Sequence, residues 1–359
     1  MSDTGLRTLS VNQMVSMLSR VYISLIKSNT QFKVFPSVML WGPPGVGKSQ
    51  GVREIAHEIE NKTKKDVHIT DVRLLLFNPV DLRGIPTANE DKTLAVWLKP
   101  QIFQMDDSDE VVNILFLDEI TAAPTSVQAA AYQITLDRTV GEHKLPENCI
   151  VIAAGNRVTD RSVAYNMPRA LANRLCHLEI KEDSVAWHDW AVKNSIHPFI
   201  TGYMEYHSSA LLRSDGPDLA FPTPRSWEMA SNVLNYVSDE VDAVFPLIVG
   251  CIGESSASLF RTWTEIYLGL PEMDKVFRGE IEEYPKEKES QIALKSAMVD
   301  YARKHPDQKV LDTSIEYACR LPWAFRGRLL QDYYRVPELR EYVQKNEVFQ
   351  TAVRDGLKC

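Results

Sequence analysis

One glycine-rich octapeptide constrains the fold of this chain more than any other stretch. Residues 42–49 read Gly-Pro-Pro-Gly-Val-Gly-Lys-Ser, and they follow four residues, 38–41, that suit a buried strand. Residues 50–60 then place apolar side chains on one helical face. A glycine turn between a strand and a helix directs several backbone N–H groups and the positive end of a helix dipole to one point. The pattern predicts a loop that binds the phosphates of a nucleotide.

The last two side chains of this loop have predicted tasks. Lys48 is expected to reach the β- and γ-phosphates, and the Ser49 hydroxyl to complete the shell of a Mg²⁺ ion. The residues predicted to contact the nucleotide are Gly42, Pro43, Pro44, Gly45, Val46, Gly47, Lys48, Ser49 and Gln50.

A second stretch, residues 113–119, carries two carboxylates after an apolar run. Residues 114–117 are Ile-Leu-Phe-Leu, which suits a fully buried parallel strand. Ligands of open α/β sheets bind beyond the carboxyl ends of the strands, where Asp118 and Glu119 stand. Asp118 is expected to hold the Mg²⁺ shell through water, and Glu119 to polarise the water that attacks the γ-phosphate. An isolated Asp-Glu pair could equally be a helix cap, but the phosphate loop upstream favours the catalytic interpretation.

A third polar group follows a further apolar run. Residues 150–154 predict another buried strand, which ends at Gly155-Asn156. The Asn156 amide would lie between Glu119 and the γ-phosphate and would orient the water. An asparagine in an ordinary turn is the alternative, and the local sequence does not choose between them.

The remaining elements of this half are predicted from periodicity and turn residues. An amphipathic helix covers residues 10–28, with Ser10 or Asn12 as its N-cap. The insertion at about 85–100 has a polar centre, and we expect a surface loop that contacts a partner or substrate. The other predictions are a strand over 67–77, a short helix from Pro79 to Gly84, a helix over 124–137 and a hairpin over 138–149 that turns at Gly141-Glu142.

Composition narrows the class of protein. A chain of 359 residues holds two or three domains, and its net charge of -8 argues against a dedicated nucleic-acid binder. The sequence shows no secretory leader and no run of about 18 apolar residues, so we expect a cytoplasmic protein without a membrane span. Without a C-x-x-C pair, the five cysteines are expected to be free thiols: Cys149, Cys176, Cys251, Cys319 and Cys359.

Taken together, these motifs resemble the AAA+ ATPases, and more closely the MoxR-like group in their helix-2-insert branch, of the dynein-related AAA_5 type. The resemblance covers residues 10–240. It rests on motifs in the family's order: the loop at 42–49, Asp81-Leu82 with Gly84 before the insert, 115–119, the hairpin leading through Leu145-Pro146 to Asn156, 167–175 and Thr223-Pro224-Arg225.

The resemblance implies roles for an amide and three arginines. Asn156 is similar to the sensor-1 residue, and Arg225 to the sensor-2 arginine that a helical lid presents to its own subunit's nucleotide. Arg174, at the end of a helix over 169–174, resembles the arginine finger that reaches a neighbouring subunit's γ-phosphate. The family position that corresponds to Arg169 is often acidic, so the finger is Arg174, Arg169 or both. A planar guanidinium suits this task because it makes two directed hydrogen bonds to phosphoryl oxygens.

The resemblance also implies a fold. It predicts an α/β P-loop NTPase core of three layers with a central parallel sheet in residues 1–183. An α-helical lid follows at 184–245, and a helical C-terminal region of unassigned role at 246–359. In that region we predict helices over 291–304, 312–319 and 325–357, and we interpret His188 and His197 as packing and capping residues.

The implied function is that of an ATP-hydrolysing, Mg²⁺-dependent remodelling or chaperone-like ATPase. It is expected to form a hexameric ring, to act on a client protein and to work with a partner that carries a von Willebrand factor A domain. The alternative is a nucleic-acid motor or restriction-type subunit, which would need a basic stripe on the pore loops. Lys92 and Lys99 of the insert are offset by Glu90 and Asp91, so this alternative is disfavoured. Glu119 argues against a third possibility, a nucleotide-gated switch with negligible turnover.

Overall fold

The structure, a computed structural model, describes residues 5–157, 167, 172–213, 218–237 and 240–358. The chain divides into two compact units, Met1–Lys181 and Glu182–Cys359. The predicted core boundary at residue 183 lies close to the end of the first unit. Residue 245 lies inside a helix of the second unit, and the division of that unit into a lid and a C-terminal region stays a prediction.

A six-stranded parallel sheet forms the centre of the first unit and confirms the predicted fold class. All neighbouring strands of this sheet run parallel. In spatial order they are β1 (Thr8–Leu9), β10 (Cys176–Ile180), β2 (Val38–Trp41), β9 (Cys149–Gly155), β6 (Val111–Asp118) and β3 (Asp66–Arg73). Because parallel strands end at a common edge, the segments that follow β2, β6 and β9 meet there.

Helices cover both faces of this sheet and complete the three layers. Neighbouring residues of a strand point to opposite faces, so Leu40 packs with α1 and α2 while Met39 packs with α3 and α4. The helices are α1 (Val11–Lys27) and α2 (Lys48–Thr63) on one face and α3 (Pro79–Arg83) and α4 (Thr125–Asp137) on the other.

The structure identifies the N-cap of α1 and corrects the predicted end of β3. Ser10 caps α1: its hydroxyl accepts from the Gln13 N–H, and the Gln13 side chain accepts from the Ser10 N–H. The strand predicted over 67–77 is wrong at its end, because β3 stops at Arg73 and a 3₁₀ turn covers Leu74–Leu76. That turn buries Leu74 fully and leaves Leu76 exposed, which a continuous strand on the sheet edge would not do for this sequence.

Both predicted hairpins are present. The insert is a pair of antiparallel strands, β4 (Ile85–Ala88) and β5 (Ala95–Leu98). Gly84 joins α3 to the insert at φ +88°, and a Cβ there would lie 1.9 Å from the Leu98 carbonyl oxygen, so only glycine fits. The second hairpin pairs β7 (Thr139–Val140) with β8 (His143–Lys144).

The described part of the second unit is helical. Two apolar clusters organise it, one around Trp227 and Phe260 and the other around Leu329 and Tyr333. Its helices are α5 (Ser184–Lys193), α6 (Pro198–Tyr206), α7 (Pro224–Tyr236), α8 (Val241–Ile252), α9 (Glu254–Thr264), α10 (Met273–Phe277), α11 (Lys288–Lys304), α12 (Gln308–Ala318), α13 (Trp323–Arg335), α14 (Arg340–Lys345) and α15 (Glu347–Arg354).

The single helix predicted over 325–357 is wrong, since three helices occupy this stretch. Pro337 follows α13 and cannot continue it, because proline lacks the N–H that a helix interior needs. Asn346 then caps α15 by accepting from the Phe349 N–H.

Within the described residues, no helix combines the length and apolar character that crossing a membrane requires. The cysteines that the structure describes are free thiols, as predicted: Cys149, Cys176, Cys251 and Cys319.

A buried ionic cluster lies inside the second unit. Lys295 of α11 is 2% exposed and pairs with Asp332 of α13 and, at 2.8 Å, with Glu205 of α6. His188 Nε2 lies 3.4 Å from Asp332, and Arg335 pairs with the same carboxylate at 2.8 Å. We call these residues, His188, Glu205, Lys295, Asp332 and Arg335, the Lys295 cluster.

Opposite charges keep Lys295 and Asp332 ionised despite their burial. Burial alone would raise the pKa of Asp332, but Lys295 and His188 outweigh it and hold that pKa well below its ordinary value. Burial would lower the pKa of Lys295, and Asp332 and Glu205 reverse the effect and raise it. His188 therefore takes part in an ionic cluster, where the sequence predicted a packing residue, whereas His197 caps α6 as predicted.

His188, Glu205 and Asp332 lie close enough together to hold a metal ion. The Lys295 ammonium already lies among these groups and supplies the positive charge that their carboxylates need.

Candidate nucleotide-binding and catalytic site

The loop between β2 and α2 has the backbone that its glycines allow. Gly45 and Gly47 lie at φ +75° and +100°, a region that residues with a Cβ rarely adopt. Helix α2 begins directly after Gly47, so its N-terminal N–H groups face the loop. Gly51, one turn on, lets α1 approach closely, because a Cβ there would lie 2.3 Å from Met14 Cε.

The Lys48 side chain turns back into the loop and links it to a second strand. Its ammonium donates to the Gly42 carbonyl at 2.6 Å, to the Pro43 carbonyl at 3.0 Å and to Asn156 Oδ1 at 3.0 Å. The residue is 8% exposed. The ends of β2 and β9 are thus joined at one cationic group, as the predicted site requires.

A hydroxyl and a carboxylate meet beside Lys48. Ser49 Oγ donates to Asp118 Oδ2 at 3.0 Å, and Asp118 Oδ1 accepts from the Glu119 N–H at 2.9 Å. Mg²⁺ prefers hard oxygen ligands and is commonly held by one or two carboxylates together with substrate phosphates. The donor set at Ser49 and Asp118 therefore fits the ion that the sequence predicted.

Glu119 adopts an uncommon backbone conformation. Its φ is +57°, which places a residue with a full side chain in the left-handed region. Such conformations cost about 1–3 kcal/mol and gather at functional sites, where the surrounding structure holds them. Here the next N–H, that of Ile120, donates to the Ala154 carbonyl of β9 at 3.0 Å.

Thr121 is a residue of this site that the sequence did not reveal. Its hydroxyl accepts from the Asn156 N–H and donates to the Asn156 carbonyl, both at 3.1 Å. A threonine in a turn carries no signal of a partner 35 residues away. Gly155 was the available clue, because a glycine inside a buried strand often marks a close approach of another chain segment.

Asp71 is a second residue that was missed. It lies on β3, which pairs with β6 so that Arg73 is level with Asp118. Burial raises the pKa of Asp71, the charge of Asp118 raises it further, and Arg73 and Arg53 oppose both effects. Asp71 is therefore close enough to Asp118 for the two carboxylates to interact electrostatically.

Two of the three predicted arginines lie in the described residues, one in each unit. Arg174 belongs to the first unit, where it is exposed and forms no ion pair with the other described residues. Arg225 belongs to the second unit, in the first turn of α7, and is also exposed. Thr223 caps that helix reciprocally with Ser226. Arg169 lies outside the described residues.

The segment that carries Arg174 is tied to the strand that leads into the loop. His177 Nδ1 accepts from the Trp41 indole N–H at 2.8 Å, and His177 Nε2 lies 2.6 Å from the Ala172 carbonyl oxygen. Since Nδ1 accepts, Nε2 carries the proton that it donates to Ala172. The residue before Gly42 and the turn before Arg174 therefore share one imidazole.

Comparisons with known proteins agree with the predicted resemblance. Residues 37–177 match the AAA_3 family, described as ATPase family associated with various cellular activities (AAA). This match confirms the resemblance over those residues, and the more specific dynein-related type stays a prediction. The search among curated protein sequences gives no match.

Solved structures resemble the chain only weakly. NtrX from Brucella abortus is 15% identical with a TM-score of 0.37, and the match covers 64% of this chain and about half, 51%, of that one. A RuvB mutant from Thermotoga maritima is 16% identical with a TM-score of 0.36, covering 76% and 78% of the two chains. A putative ATPase from Cytophaga hutchinsonii is 15% identical with a TM-score of 0.33, covering 94% and 88%.

Proposed function

Because residues 37–177 match the AAA ATPase family, we propose that this chain is an ATP-hydrolysing remodelling enzyme of the MoxR type. One observation carries the proposal. The structure gathers Lys48, Ser49, Asp118, Glu119 and Asn156 at the carboxyl ends of three adjacent strands. Phosphoryl transfer to water requires a cationic donor, a pair of groups that binds the metal ion, a carboxylate and an amide. These residues supply all of them at one point.

Each of these groups has a proposed task in hydrolysis. Lys48 pairs its ammonium with the β- and γ-phosphates of ATP. Ser49 and Asp118 would hold a Mg²⁺ ion, which would supply positive charge to the phosphoryl oxygens. Glu119 accepts the proton of the attacking water, and Asn156 holds that water in place.

We propose further that the active site is completed by a second copy of the chain. Arg174 is exposed and has no ion-pair partner among the described residues, so its guanidinium is available to a neighbouring subunit's γ-phosphate. Arg225, presented by a firmly capped helix, is proposed to act on its own subunit's nucleotide. In a closed ring, the Arg174 of every subunit can reach the nucleotide site of a neighbouring subunit. We expect six subunits.

The insert supports a protein client. Its hairpin exposes apolar side chains, with Ile85 61% and Leu98 58% exposed. A cleft of about 510 Å³ lies beside it, lined in part by Leu76 and Val80. Exposed apolar surface indicates contact with protein. A von Willebrand factor A domain partner is proposed on the resemblance alone.

Lys48→Ala tests the phosphate loop. We expect at least a hundredfold loss of ATP affinity, because charge-assisted hydrogen bonds contribute about 1.5–3 kcal/mol each. Binding of a fluorescent ATP analogue measures it. The matched control is Lys62→Ala in the last turn of the same helix, where the lysine is exposed and pairs with Glu58. Equal affinity in wild type and Lys48→Ala would remove the loop from the site.

Mixing variants tests whether Arg174 acts in trans. Arg174→Ala and Glu119→Gln proteins should each be inactive alone. Combined in equal amounts, they should recover about a quarter of the wild-type ATPase rate, because an Arg174→Ala subunit then meets an intact finger at one interface in four. Arg225→Ala mixed with Glu119→Gln is the control and should recover nothing, since no subunit then has a complete set of its own residues. Assembled mixtures without recovery would count against a finger in trans.

A further inference from the structure

The turn after β6 is fastened to β9 at two successive residues. The Ile120 N–H donates to the Ala154 carbonyl at 3.0 Å. The Thr121 hydroxyl then bonds both the N–H and the carbonyl of Asn156 at 3.1 Å. Thr121 is 2% exposed, so its own side chain is shielded from water. We propose that Thr121 is a positioning residue for ATP hydrolysis, which holds Glu119 and Asn156 in one rigid arrangement.

The strained conformation of Glu119 is the first reason. A left-handed φ at a residue with a side chain persists only where the surrounding structure over-determines it. The hydrogen bonds between this turn and the end of β9 begin at the next residue, Ile120, and continue at Thr121. Without the Thr121 bonds, the Ile120 hydrogen bond would be the one left between this turn and β9 among the described residues. Glu119 could then relax to an ordinary conformation with its carboxylate displaced.

The second reason to assign this role to Thr121 is that the hydrogen bonds of Asn156 leave its amide NH₂ group for the reaction. Its two backbone groups are bonded to Thr121, and its side-chain oxygen accepts from Lys48. The amide NH₂ group is then the donor that remains for a substrate or water. The Thr121 hydroxyl therefore sets the position of the amide, while Lys48 sets its orientation.

The third reason is the close packing of the Thr121 side chain against Gly155. A Cβ at residue 155 would lie 2.6 Å from Thr121 Oγ1 and 2.8 Å from its methyl carbon. The threonine side chain thus occupies the space that any other residue at 155 would need. The strand end and the turn are built for close approach of these two residues.

This inference rests on the proposed ATPase function, and it predicts a specific kinetic pattern. Lys48 has two further acceptors, the carbonyls of Gly42 and Pro43. The phosphate loop therefore keeps its shape when the Thr121 bonds are lost. A defect at Thr121 should reduce kcat and leave nucleotide affinity and KM nearly unchanged.

The experiment compares three variants of the full chain. Thr121→Val keeps the shape and removes the hydroxyl, and it should lower kcat at least tenfold, since a small misplacement of reacting groups can cost about a hundredfold. Thr121→Ser restores the hydroxyl and should recover at least about half of the wild-type kcat. The matched control is Thr135→Val, which removes another buried hydroxyl from the same unit, one that bonds only the Tyr132 carbonyl of its own helix. Its kcat should equal that of wild type.

If Thr121→Val folds, either of two results would overturn the inference. One is a Thr121→Val protein with wild-type kcat and normal binding of an ATP analogue. The other is a Thr121→Ser protein as slow as Thr121→Val, because the hydroxyl would then not be the cause. If Thr121→Val does not fold, Gly155→Ala replaces it: the added methyl displaces the same hydroxyl, and a wild-type kcat would reject the role. A wild-type chain without ATPase activity would reject the proposed function itself, together with this inference.

Discussion

The Glu119→Gln protein is expected to bind ATP and to hydrolyse it about 10²–10⁴ times more slowly than wild type, because a positioned general base contributes a factor of this size. Glutamine has the same shape as glutamate, so the backbone at φ +57° and the hydrogen bond from its N–H to Asp118 are preserved. The amide cannot take a proton from water. Phosphate release at saturating ATP measures the rate, and an ATP analogue measures the affinity.

A control at the other end of the same strand makes this result specific. Glu110 is exposed and directly precedes β6, which ends at Asp118. Glu110→Gln removes the same charge at the opposite end of this strand, far from the loop, and should leave the rate unchanged. A Glu119→Gln protein with the normal rate would show that another group activates the water, and Asp71 would be the next residue to test.

The Lys295→Met protein is expected to lose about 3–5 kcal/mol of unfolding free energy, since removing one partner of a buried ion pair leaves an uncompensated charge. Methionine fills a similar volume, so the loss comes from the carboxylates. Asp332 is 2% exposed and keeps Arg335 and His188, whereas Glu205 keeps an exposed arginine, Arg328. Denaturation by urea measures the effect, followed by fluorescence, because five of the seven tryptophans lie in the second unit.

The pH dependence separates this electrostatic effect from a packing defect. The pKa of Asp332 is lowered by its partners, so its contribution is present above the ordinary value of 3.8 and is lost as the pH falls through the folded value. The difference between wild type and Lys295→Met should therefore shrink in acid. Lys304→Met is the control, since that lysine lies on the same helix and is exposed. A loss that does not change with pH would indicate packing instead.

The sequence predicted those parts of the site that are contiguous along the chain. The loop at 42–49 and the run ending in Asp118-Glu119 each combine a strand, a turn and polar residues within a few positions. Parallel strands bring such ends together without further information, and so the Asn156 amide could be predicted between Glu119 and the γ-phosphate, although the local sequence left an ordinary turn asparagine as the alternative.

What the sequence did not predict depends on pairs that lie far apart along the chain. Thr121 is an ordinary turn residue until the fold sets it against Asn156. Lys295 is one charged residue in a helix until Glu205 and Asp332, from two other helices, surround it. No period or motif encodes such pairs. The strand predicted to continue past Arg73 failed for a related reason, because three leucines favour a strand locally and only the core decides which one is buried.

The left-handed backbone of Glu119 makes evolution at this position asymmetric. Glycine is the residue best suited to φ +57°, and a single base change in a glutamate codon produces it. That change would relieve strain and remove the general base at once. Under selection for abundance or heat resistance alone, glycine would therefore replace glutamate and give a folded, inactive protein. Only selection on turnover keeps glutamate in place.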